Sequence, residues 1–599
     1  MRRPRLEPET QFLLLAAAIG AAGALANAAF RLLIGLSQRA FASGAGSLFE
    51  PVGPSLWWIV VIATPALGGL AVALLGRATN SEVGGYALPG FLEKLHLRAK
   101  DIDLRGTLLR TCAAALTLGS GGSAGVEGPI ATLGGGMAAW IGRVRQLGGE
   151  RLRVMVACGS SAAVAAAYGA PIAAVFFTQE IVLAGNYDLH NFVRVVVAAG
   201  SATVVARAMR GDAPMFEAPA FELASSSEVL HYLLLGLACG LCGAWFSRLF
   251  FWTQKRFAAL RVPALYKPAL GGALVGLLAL SGVGVLGTGH EVIETLLASE
   301  GASGWRLLAG LGVLLFAKML ATSITIGSGG AGGVFGPSLC FGAVLGGLIG
   351  GAADLLRPEA SASPALYSLV GMGAFLAATV RAPLTSIFLV FEMTGSSSTA
   401  VLPTLVAVAA ALFVSRRLER YSIDEATLAA RGIDLGQRRE QSALGGVLVR
   451  SAMSRGFDGV AASATAPELM ALISESSANA FVVVDEREEM VGILALQDLR
   501  VLDAKTAEAL GPLTIAADLC ERNVVTVFGD ESLAAALTKM DQAGYRQLPV
   551  VERDAPRRVV GMLERQHVLS AYRRLLADPG ARAAGAGPRP NESGDSLRL

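Results

Sequence analysis

The stretch GSGGSAGVEGPIATLGGGMAAWIG, residues Gly119–Gly142, decides the fold, because the chain carries it twice. The second copy is GSGGAGGVFGPSLCFGAVLGGLIG, residues Gly327–Gly350, and 11 of the 24 positions are identical without a gap. Each copy is a glycine-rich turn, a Gly-Pro pair and an apolar run, typical of a beginning helix because proline fits the first turn. The free N–H groups of such a helix end carry about half a positive charge and bind anions. The sequence therefore predicts two anion-binding helix N-termini, which differ at one place, Glu127 in the first copy and Phe335 in the second.

A second pair of segments indicates that a whole unit is duplicated. GSSAAVAAAYGAPIAAVFFTQEI (Gly159–Ile181) matches GMGAFLAATVRAPLTSIFLVFEM (Gly371–Met393) at 8 of 23 positions. The offset between copies changes only from 208 to 212 residues, so the repeats run over about 11–209 and 229–432. Duplicated membrane units with interrupted helices commonly hold an ion site between the repeats.

The composition is that of a membrane protein. Of 599 residues, 53% are hydrophobic and 16% are charged, and the mean hydropathy is +0.54; soluble chains average about 25% charged residues. The uncharged runs Gln11–Phe30 and Pro51–Gly76 can each span a hydrocarbon core of about 30 Å. Shorter apolar runs broken by glycine or proline predict helices buried among protein neighbours. The small net charge of +3 does not indicate a nucleic-acid partner.

The chain divides into a membrane part and a soluble part. A basic lead, 1–10, favours a cytoplasmic N-terminus and precedes the membrane domain, 11–434. Two soluble units, 447–510 and 512–576, each contain apolar runs around a charged turn, which predict hairpins. The tail, 577–599, has the composition of a disordered segment.

Three motifs resemble the CLC family of chloride channels and chloride/proton antiporters: GxEGP at Gly125–Pro129, GVFGP at Gly333–Pro337, and GMGAFLAATVRAPLTSIFLVFEMT at Gly371–Thr394. The resemblance implies an all-α polytopic membrane protein with an inverted internal repeat, assembled as a homodimer with one anion pathway per subunit. The two soluble units resemble a tandem pair of small α/β CBS domains. Such an arrangement is expected in an inner or plasma membrane with the CBS pair cytoplasmic.

Glu127 is the main candidate for a gating residue. A carboxylate is itself an anion, so at a helix N-terminus it can occupy an anion site, and protonation weakens its hold. The family resemblance assigns it this gating role, with proton carriage in antiporters; the alternative is a helix-capping glutamate. The resemblance also implies that backbone N–H groups face the anion at Val126, Gly128, Gly333, Val334 and Phe335.

Two positions depart from the family pattern. The anion-coordinating serine of the family falls on Tyr86 in GYALP, where a phenol can act as a ligand or as a bulky gate. The family's inner tyrosine falls on Asp424, with Tyr421 three residues earlier. Either Tyr421 serves through a shifted register, or the inner site is open and different. The inner acid of the family's antiporters falls on Ile181, which favours a channel or weak coupling.

Other polar residues have expected structural or nucleotide-binding roles. Glu180, Glu392 and Lys318 are expected to be structural, and the Cys239/Cys242 pair to be packing residues without a metal or disulfide. Asp498 stands where CBS domains hold the ribose of an adenine nucleotide, but neither unit has the usual serine or threonine. A dimer-stabilising platform without a cofactor is the alternative.

The sequence leaves several functions open. The leading one is transport of chloride or a similar small anion, gated by Glu127, as a channel or a chloride/proton antiporter. Nitrate, bicarbonate or fluoride are alternative ions, although the GxEGP form argues against fluoride. A membrane-anchored nucleotide sensor without flux is a second class. An enzyme is not expected, since the sequence has no HExxH motif and its five histidines are scattered along the chain without a Ser/His/Asp grouping.

Overall fold

The computed structural model of the protein consists of two units, Met1–Ile433 and Asp434–Leu599. The residues that the structure describes are 7–49, 57–185, 189–217, 228–282, 284–298, 304–356, 363–395, 400–433, 444, 447–475, 480–495 and 514–577. Asp498 and almost all of the predicted disordered tail lie outside these residues.

The first unit is helical. Its described helices are α1 Pro8–Phe49, α2 Trp57–Thr79, α3 Ala87–Arg98, α4 Leu104–Gly119, α5 Glu127–Val144, α6 Gly149–Tyr168, α7 Pro171–Phe177, α8 Leu189–Arg210, α9 Glu228–Ala259, α10 Lys267–Ala279, α11 His290–Ala298, α12 Trp305–Gly327, α13 Phe335–Leu356, α14 Pro364–Val380, α15 Pro383–Thr394, α16 Val401–Leu418 and α17 Ile423–Ala429. A 3₁₀ turn, Ala99–Asp101, follows α3, and a π-helical turn, Thr178–Val182, extends α7. Two strands of two residues each, β1 Gly85–Tyr86 and β2 Ala331–Gly332, pair in parallel.

Seven helical segments among the described residues are long and apolar enough to cross a membrane. They are Glu9–Ala42, Trp57–Thr79, Asn191–Arg210, Glu228–Ala259, Trp305–Gly327, Phe335–Leu356 and Val401–Ala429. Shorter apolar helices, including α7, α10, α14 and α15, accompany them. The prediction of spanning helices mixed with short interrupted ones is therefore confirmed.

The two anion-turn helices begin within two residues of the starts that their sequence suggests, α5 two residues earlier and α13 one residue later. The prolines and apolar runs predict starts at Pro129 and Val334, whereas α5 begins at Glu127 and α13 at Phe335. In both helices proline occupies the third position, where its missing N–H costs no intrahelical bond because the first turn has no partners. Glu127 and Phe335 are therefore the first residues of their helices.

The duplicated segments pack in the same way in both repeats. Helix α5 crosses α6 where Gly134 faces Gly159, and α13 crosses α14 where Gly342 faces Gly371. A Cβ atom on Gly134 would lie 2.1 Å from the Gly159 carbonyl oxygen, and one on Gly342 would lie 2.1 Å from the Gly371 oxygen. Each crossing thus brings two backbones into contact, which requires glycine on both sides.

The second unit contains two three-stranded sheets with the same topology. The first has β3 Gly459–Ala461, β4 Ala480–Val484 and β5 Met490–Ala495; the second has β6 Val527–Phe528, β7 Gln547–Val551 and β8 Val559–Glu564. The accompanying helices are Ala466–Glu475, Ala516–Leu519, Leu533–Ala543 and Arg565–Ala577, with a 3₁₀ turn at Val449–Ser451. In each sheet the first strand pairs in parallel with the second, and the second and third form an antiparallel hairpin. Both predicted hairpins are confirmed.

Strand β4 is buried on both faces, which joins the two sheets into one body. Phe481 and Val483 belong to the core of their own sheet, while Val482 and Val484 pack against Met562 of β8. The hairpin after β4 turns at Asp485, whose carboxylate accepts the N–H groups of Glu489 and Arg487. These bonds hold the pKa of Asp485 below its usual value, and the bond from Glu489 has the larger effect.

Candidate functional site

The two glycine turns meet through a reciprocal pair of backbone hydrogen bonds. Gly125 N–H donates to the Gly333 oxygen at 2.7 Å, and Gly333 N–H donates to the Gly125 oxygen at 2.9 Å. Gly125 and Gly333 are equivalent positions of the two repeats. An exchange of both bonds between equivalent residues is the pattern of a local two-fold axis. The repeats therefore face each other at the predicted anion turns.

Side chains around the turns repeat this symmetry. Ser123 N–H donates to Thr325 Oγ1 at 3.1 Å, and Ala331 N–H donates to Thr117 Oγ1 at 3.0 Å. Each pair joins a turn of one repeat to the preceding helix of the other. The two turns are thus held together by polar bonds inside a largely apolar unit, where an unpaired N–H group would be costly.

A third helix start reaches the same place. The β1–β2 pair, with Gly85 N–H donating to the Gly330 oxygen at 3.0 Å, sets the start of α3 beside the second turn. A Cβ atom on Gly128 would lie 3.8 Å from both the Gly333 Cα and the Leu88 Cβ atoms. The N-termini of α3, α5 and α13 therefore converge, and together they form a region rich in free backbone N–H groups.

Glu127 extends from the start of α5 to the start of α13. The residue is 2% exposed, and its Oε1 accepts a hydrogen bond from the Tyr168 hydroxyl. A Cβ atom on Gly336 would lie 2.7 Å from Oε1, and one on Gly125 would lie 2.2 Å from Oε2. The carboxylate therefore lies in a space that only glycine at both positions leaves open. Oε2 has no hydrogen-bond partner among the described residues.

Phe335 takes the place of Glu127 in the other repeat and forms an apolar wall. It is buried, and its ring packs edge-on against Phe177 with centroids 5.9 Å apart. Val334 is also buried, whereas Val126 is partly exposed. The convergence point thus has one acidic side and one apolar side.

Tyr86 and Asp424 form a second phenol–carboxylate pair. The Tyr86 hydroxyl donates to Asp424 Oδ1 at 2.5 Å, and the two residues are 9% and 3% exposed. The Tyr86 ring packs edge-on against Phe250, with centroids 6.0 Å apart. Asp424 Oδ2 has no hydrogen-bond partner among the described residues.

The structure brings Asp424, not Tyr421, to Tyr86. Ser422 caps α17: its Oγ accepts the Glu425 N–H at 3.2 Å, and Glu425 Oε2 accepts the Ser422 N–H at 3.0 Å. This capping box determines where the helix begins, so Asp424 falls in its first turn. Tyr421 precedes the cap, and its ring lies under the Arg420 guanidinium, 5.2 Å from ring centroid to Cζ. The shifted register that would use Tyr421 does not occur.

Tyr168 is a site residue that the motifs do not reveal. It ends α6, just before Gly169, which adopts a positive φ of 67°. The available signal is the repeat itself, because Tyr168 stands where the second copy has the apolar Val380.

Glu180 and Glu392 each cap a helix of the opposite repeat. Glu180 accepts the N–H groups of Leu384 and Thr385 at 3.0 and 2.9 Å, at the start of α15. Glu392 accepts those of Ile172 and Ala173 at 3.0 and 2.7 Å, at the start of α7. Their predicted structural role is confirmed.

Lys318 also has the structural environment predicted for it. Its Nζ donates to the carbonyl oxygens of Val285, Leu286 and Gly287 at 2.7, 2.8 and 2.9 Å. The described cysteines are free thiols, and Cys239 is buried in α9.

Apolar helices of spanning length, with three helix N-termini converging at the junction of two repeats, are the features of an integral membrane protein with a candidate anion site. Residues 67–416 match the family model described as voltage gated chloride channel, and residues 449–504 and 516–574 each match the CBS domain model. The chain therefore belongs to the voltage gated chloride channel family and carries a C-terminal CBS pair.

Relatives and solved structures agree with this assignment. The putative chloride channel protein ClcB-like of Ralstonia nicotianae is 35% identical over 399 residues, which cover 66% of this chain and 91% of that protein. The crystal structure of a slow cyanobacterial Cl⁻/H⁺ antiporter is 26% identical, with a TM-score of 0.63, and covers 71% of this chain and 98% of that one. A eukaryotic CLC transporter, 18% identical, shows the same fold with a TM-score of 0.60 and covers 93% of this chain and 98% of that one.

Proposed function

We propose that the protein transports chloride, or a similar small inorganic anion, through one pathway in each subunit of a homodimer, with Glu127 as the protonatable gate. The observation that carries this proposal is the buried Glu127 carboxylate at the start of α13, between Gly125 and Gly336. The names of the relatives, a chloride channel protein and a Cl⁻/H⁺ antiporter, supply the ion. Transport, not catalysis, is the proposed activity.

Gating follows from competition between the Glu127 carboxylate and chloride for the N-terminus of α13. The ionised Glu127 carboxylate lies where the N–H groups of α13 begin, so a chloride ion cannot occupy the same space. Protonation removes the charge and weakens the attraction to the helix end. The neutral side chain then moves aside, and the backbone N–H groups at the convergence point become available to the anion.

We place the CBS pair on the cytoplasmic side. Helix α16 ends in Arg416 and Arg417, with Arg420 close behind, and basic residues next to membrane helices favour the cytoplasm. Nucleotide binding by the pair stays a prediction, since Asp498 is outside the described residues. The homodimer rests on family membership and is tested by cross-linking the purified protein.

The test of the function is chloride efflux from liposomes that contain the purified protein, with simultaneous recording of protons. We expect chloride efflux well above that of protein-free liposomes. Proton movement against its gradient, driven by chloride, would establish exchange, and its absence would favour a channel. A purified, monodisperse protein that gives no efflux at any pH would contradict the transport proposal and favour a membrane-anchored sensor.

Tyr168→Phe is expected to increase chloride flux at neutral pH by about tenfold. The Tyr168 hydroxyl donates to Glu127 Oε1, and a hydrogen bond to a charged group contributes about 1.5–3 kcal/mol. Without it the carboxylate leaves the α13 helix end more readily. Efflux at pH 7.5 measures the effect.

Tyr232→Phe provides the matched control. Tyr232 is also fully buried, but its hydroxyl has no hydrogen-bond partner among the described residues. This variant should transport like the unmodified protein. Equal flux in the two variants would show that the Tyr168 bond does not restrain the gate.

A further inference from the structure

The membrane unit contains two buried acid–phenol pairs of the same construction. Glu127 accepts a hydrogen bond from Tyr168, and Asp424 accepts one from Tyr86. In each pair one carboxylate oxygen is bonded, and the other has no hydrogen-bond partner among the described residues. The pairs adjoin, because Tyr86 directly precedes α3, and Leu88 in the first turn of α3 lies beside Gly128, the residue after Glu127.

No cation among the described residues hydrogen-bonds or ion-pairs with Asp424. Helix α17, which carries it, packs against α3 and α14. Near α3, Arg431 forms an ion pair with Glu93 at 3.0 Å. The guanidinium groups of Arg110 and Arg431 both lie beside Gly90.

Arg381, which follows the last residue of α14, also has other hydrogen-bond partners. Arg381 donates to the carbonyl oxygens of Glu419 and Arg420 at 2.5 and 2.7 Å. On α17 itself, Glu425 adds a second negative charge and is engaged in the helix cap. A buried carboxylate with one phenol as its described partner is costly when ionised, and a proton relieves that cost.

We propose that Asp424 is a second proton-binding gate of the anion pathway, in series with Glu127, and that Asp424 controls the hydroxyl group of Tyr86. The inference rests on the proposed transport function. While Asp424 is ionised, the Tyr86 O–H donates to it and the carboxylate repels an approaching anion. When Asp424 takes one proton from the adjacent aqueous phase, the repulsion ends and the phenol O–H is free to donate to the anion. Release of that proton restores the Tyr86–Asp424 bond.

With two proton-binding gates in series, chloride flux depends more steeply on pH than with one. Above the pKa of a carboxyl group, each pH unit lowers its protonated fraction about tenfold. If both groups must be protonated, the logarithm of the flux falls with a limiting slope of about −2 per pH unit. With Glu127 as the one gate, the slope is about −1.

The experiment measures chloride efflux from about pH 6.5 to about pH 9.5 for the full-length protein in liposomes, and the limiting slope is taken from the most alkaline pH unit. We expect a slope of about −2 for the unmodified protein, about −1 for Glu127→Gln and for Asp424→Asn, and about zero for the double variant. Glu425→Gln is the control: it removes the adjacent charge but keeps the cap, since glutamine also serves in a capping box. Its slope should equal that of the unmodified protein.

The Glu127→Gln variant tests Asp424 even if Asp424→Asn fails to fold. A flux in Glu127→Gln that is already independent of pH would overturn the role of Asp424 while leaving the proposed function intact. Absence of flux in the unmodified protein would instead contradict the proposed function. Tyr86→Phe tests the phenol: its maximal flux at low pH should fall about tenfold with the slope unchanged, and an unchanged maximum would refute this role.

Discussion

Replacement of Glu127 by glutamine is expected to raise chloride flux at pH 7.5 by about tenfold or more. Glutamine has the shape of protonated glutamate and can still accept the Tyr168 hydrogen bond. It carries no charge at any pH, so it does not compete with chloride for the N-terminus of α13. The slope of the logarithm of flux against pH should become less negative by about one per pH unit.

Liposome efflux at a series of pH values checks this expectation, with Glu93→Gln as the matched control. Glu93 forms a partly exposed ion pair with Arg431, and such pairs contribute about 0–1 kcal/mol. That variant should leave flux nearly as it is. If Glu127→Gln keeps both the rate and the slope of the unmodified protein, Glu127 is not the gate.

Gly134→Ala is expected to destabilise the membrane unit by about 3 kcal/mol, the upper end of the usual cost of overpacking. The new Cβ atom would lie 2.1 Å from the Gly159 carbonyl oxygen. That atom is backbone, so no side-chain rotation relieves the contact, and α5 has to move away from α6. Since α5 also carries Glu127, we expect loss of transport together with the loss of stability.

Thermal unfolding in detergent, followed by size-exclusion chromatography, measures this change against Gly200→Ala. A Cβ atom on Gly200, in α8, would meet nothing within 4 Å. Alanine is the better helix former by about 0.5–1 kcal/mol, so this control should be as stable as the unmodified protein or slightly more so. Equal unfolding temperatures for the two variants would refute the backbone contact between α5 and α6.

Local patterns were sufficient to predict the repeats, the long apolar helices and the hairpins of the soluble part. The doubled glycine turn predicts two equivalent helix starts, and the reciprocal bonds of Gly125 and Gly333 show those starts facing each other. The alternating runs of the soluble part predict the β4–β5 and β7–β8 hairpins. These features could be predicted because helix starts and strand periodicity each depend on residues only a few positions apart in the sequence.

Hydrogen bonds between residues far apart in the sequence could not be predicted in the same way. Glu180 and Glu392 are predictable as structural acids, but not the exchange by which each caps a helix of the opposite repeat. Tyr168 looks like any residue of an apolar helix until α6 brings its hydroxyl to Glu127. The choice between Tyr421 and Asp424 depended on the Ser422 cap and on the position of Tyr86, 338 residues away.

The sequence by itself determined a duplicated membrane unit, an acid at the start of one anion-turn helix, and a soluble pair of α/β modules. Only the tertiary structure decided which phenol meets which carboxylate, and that α3, α5 and α13 begin at one point. The physical reason is that helix starts and strand periods are set by adjacent residues. Buried polar pairs are selected by the requirement that distant groups satisfy one another once water is excluded.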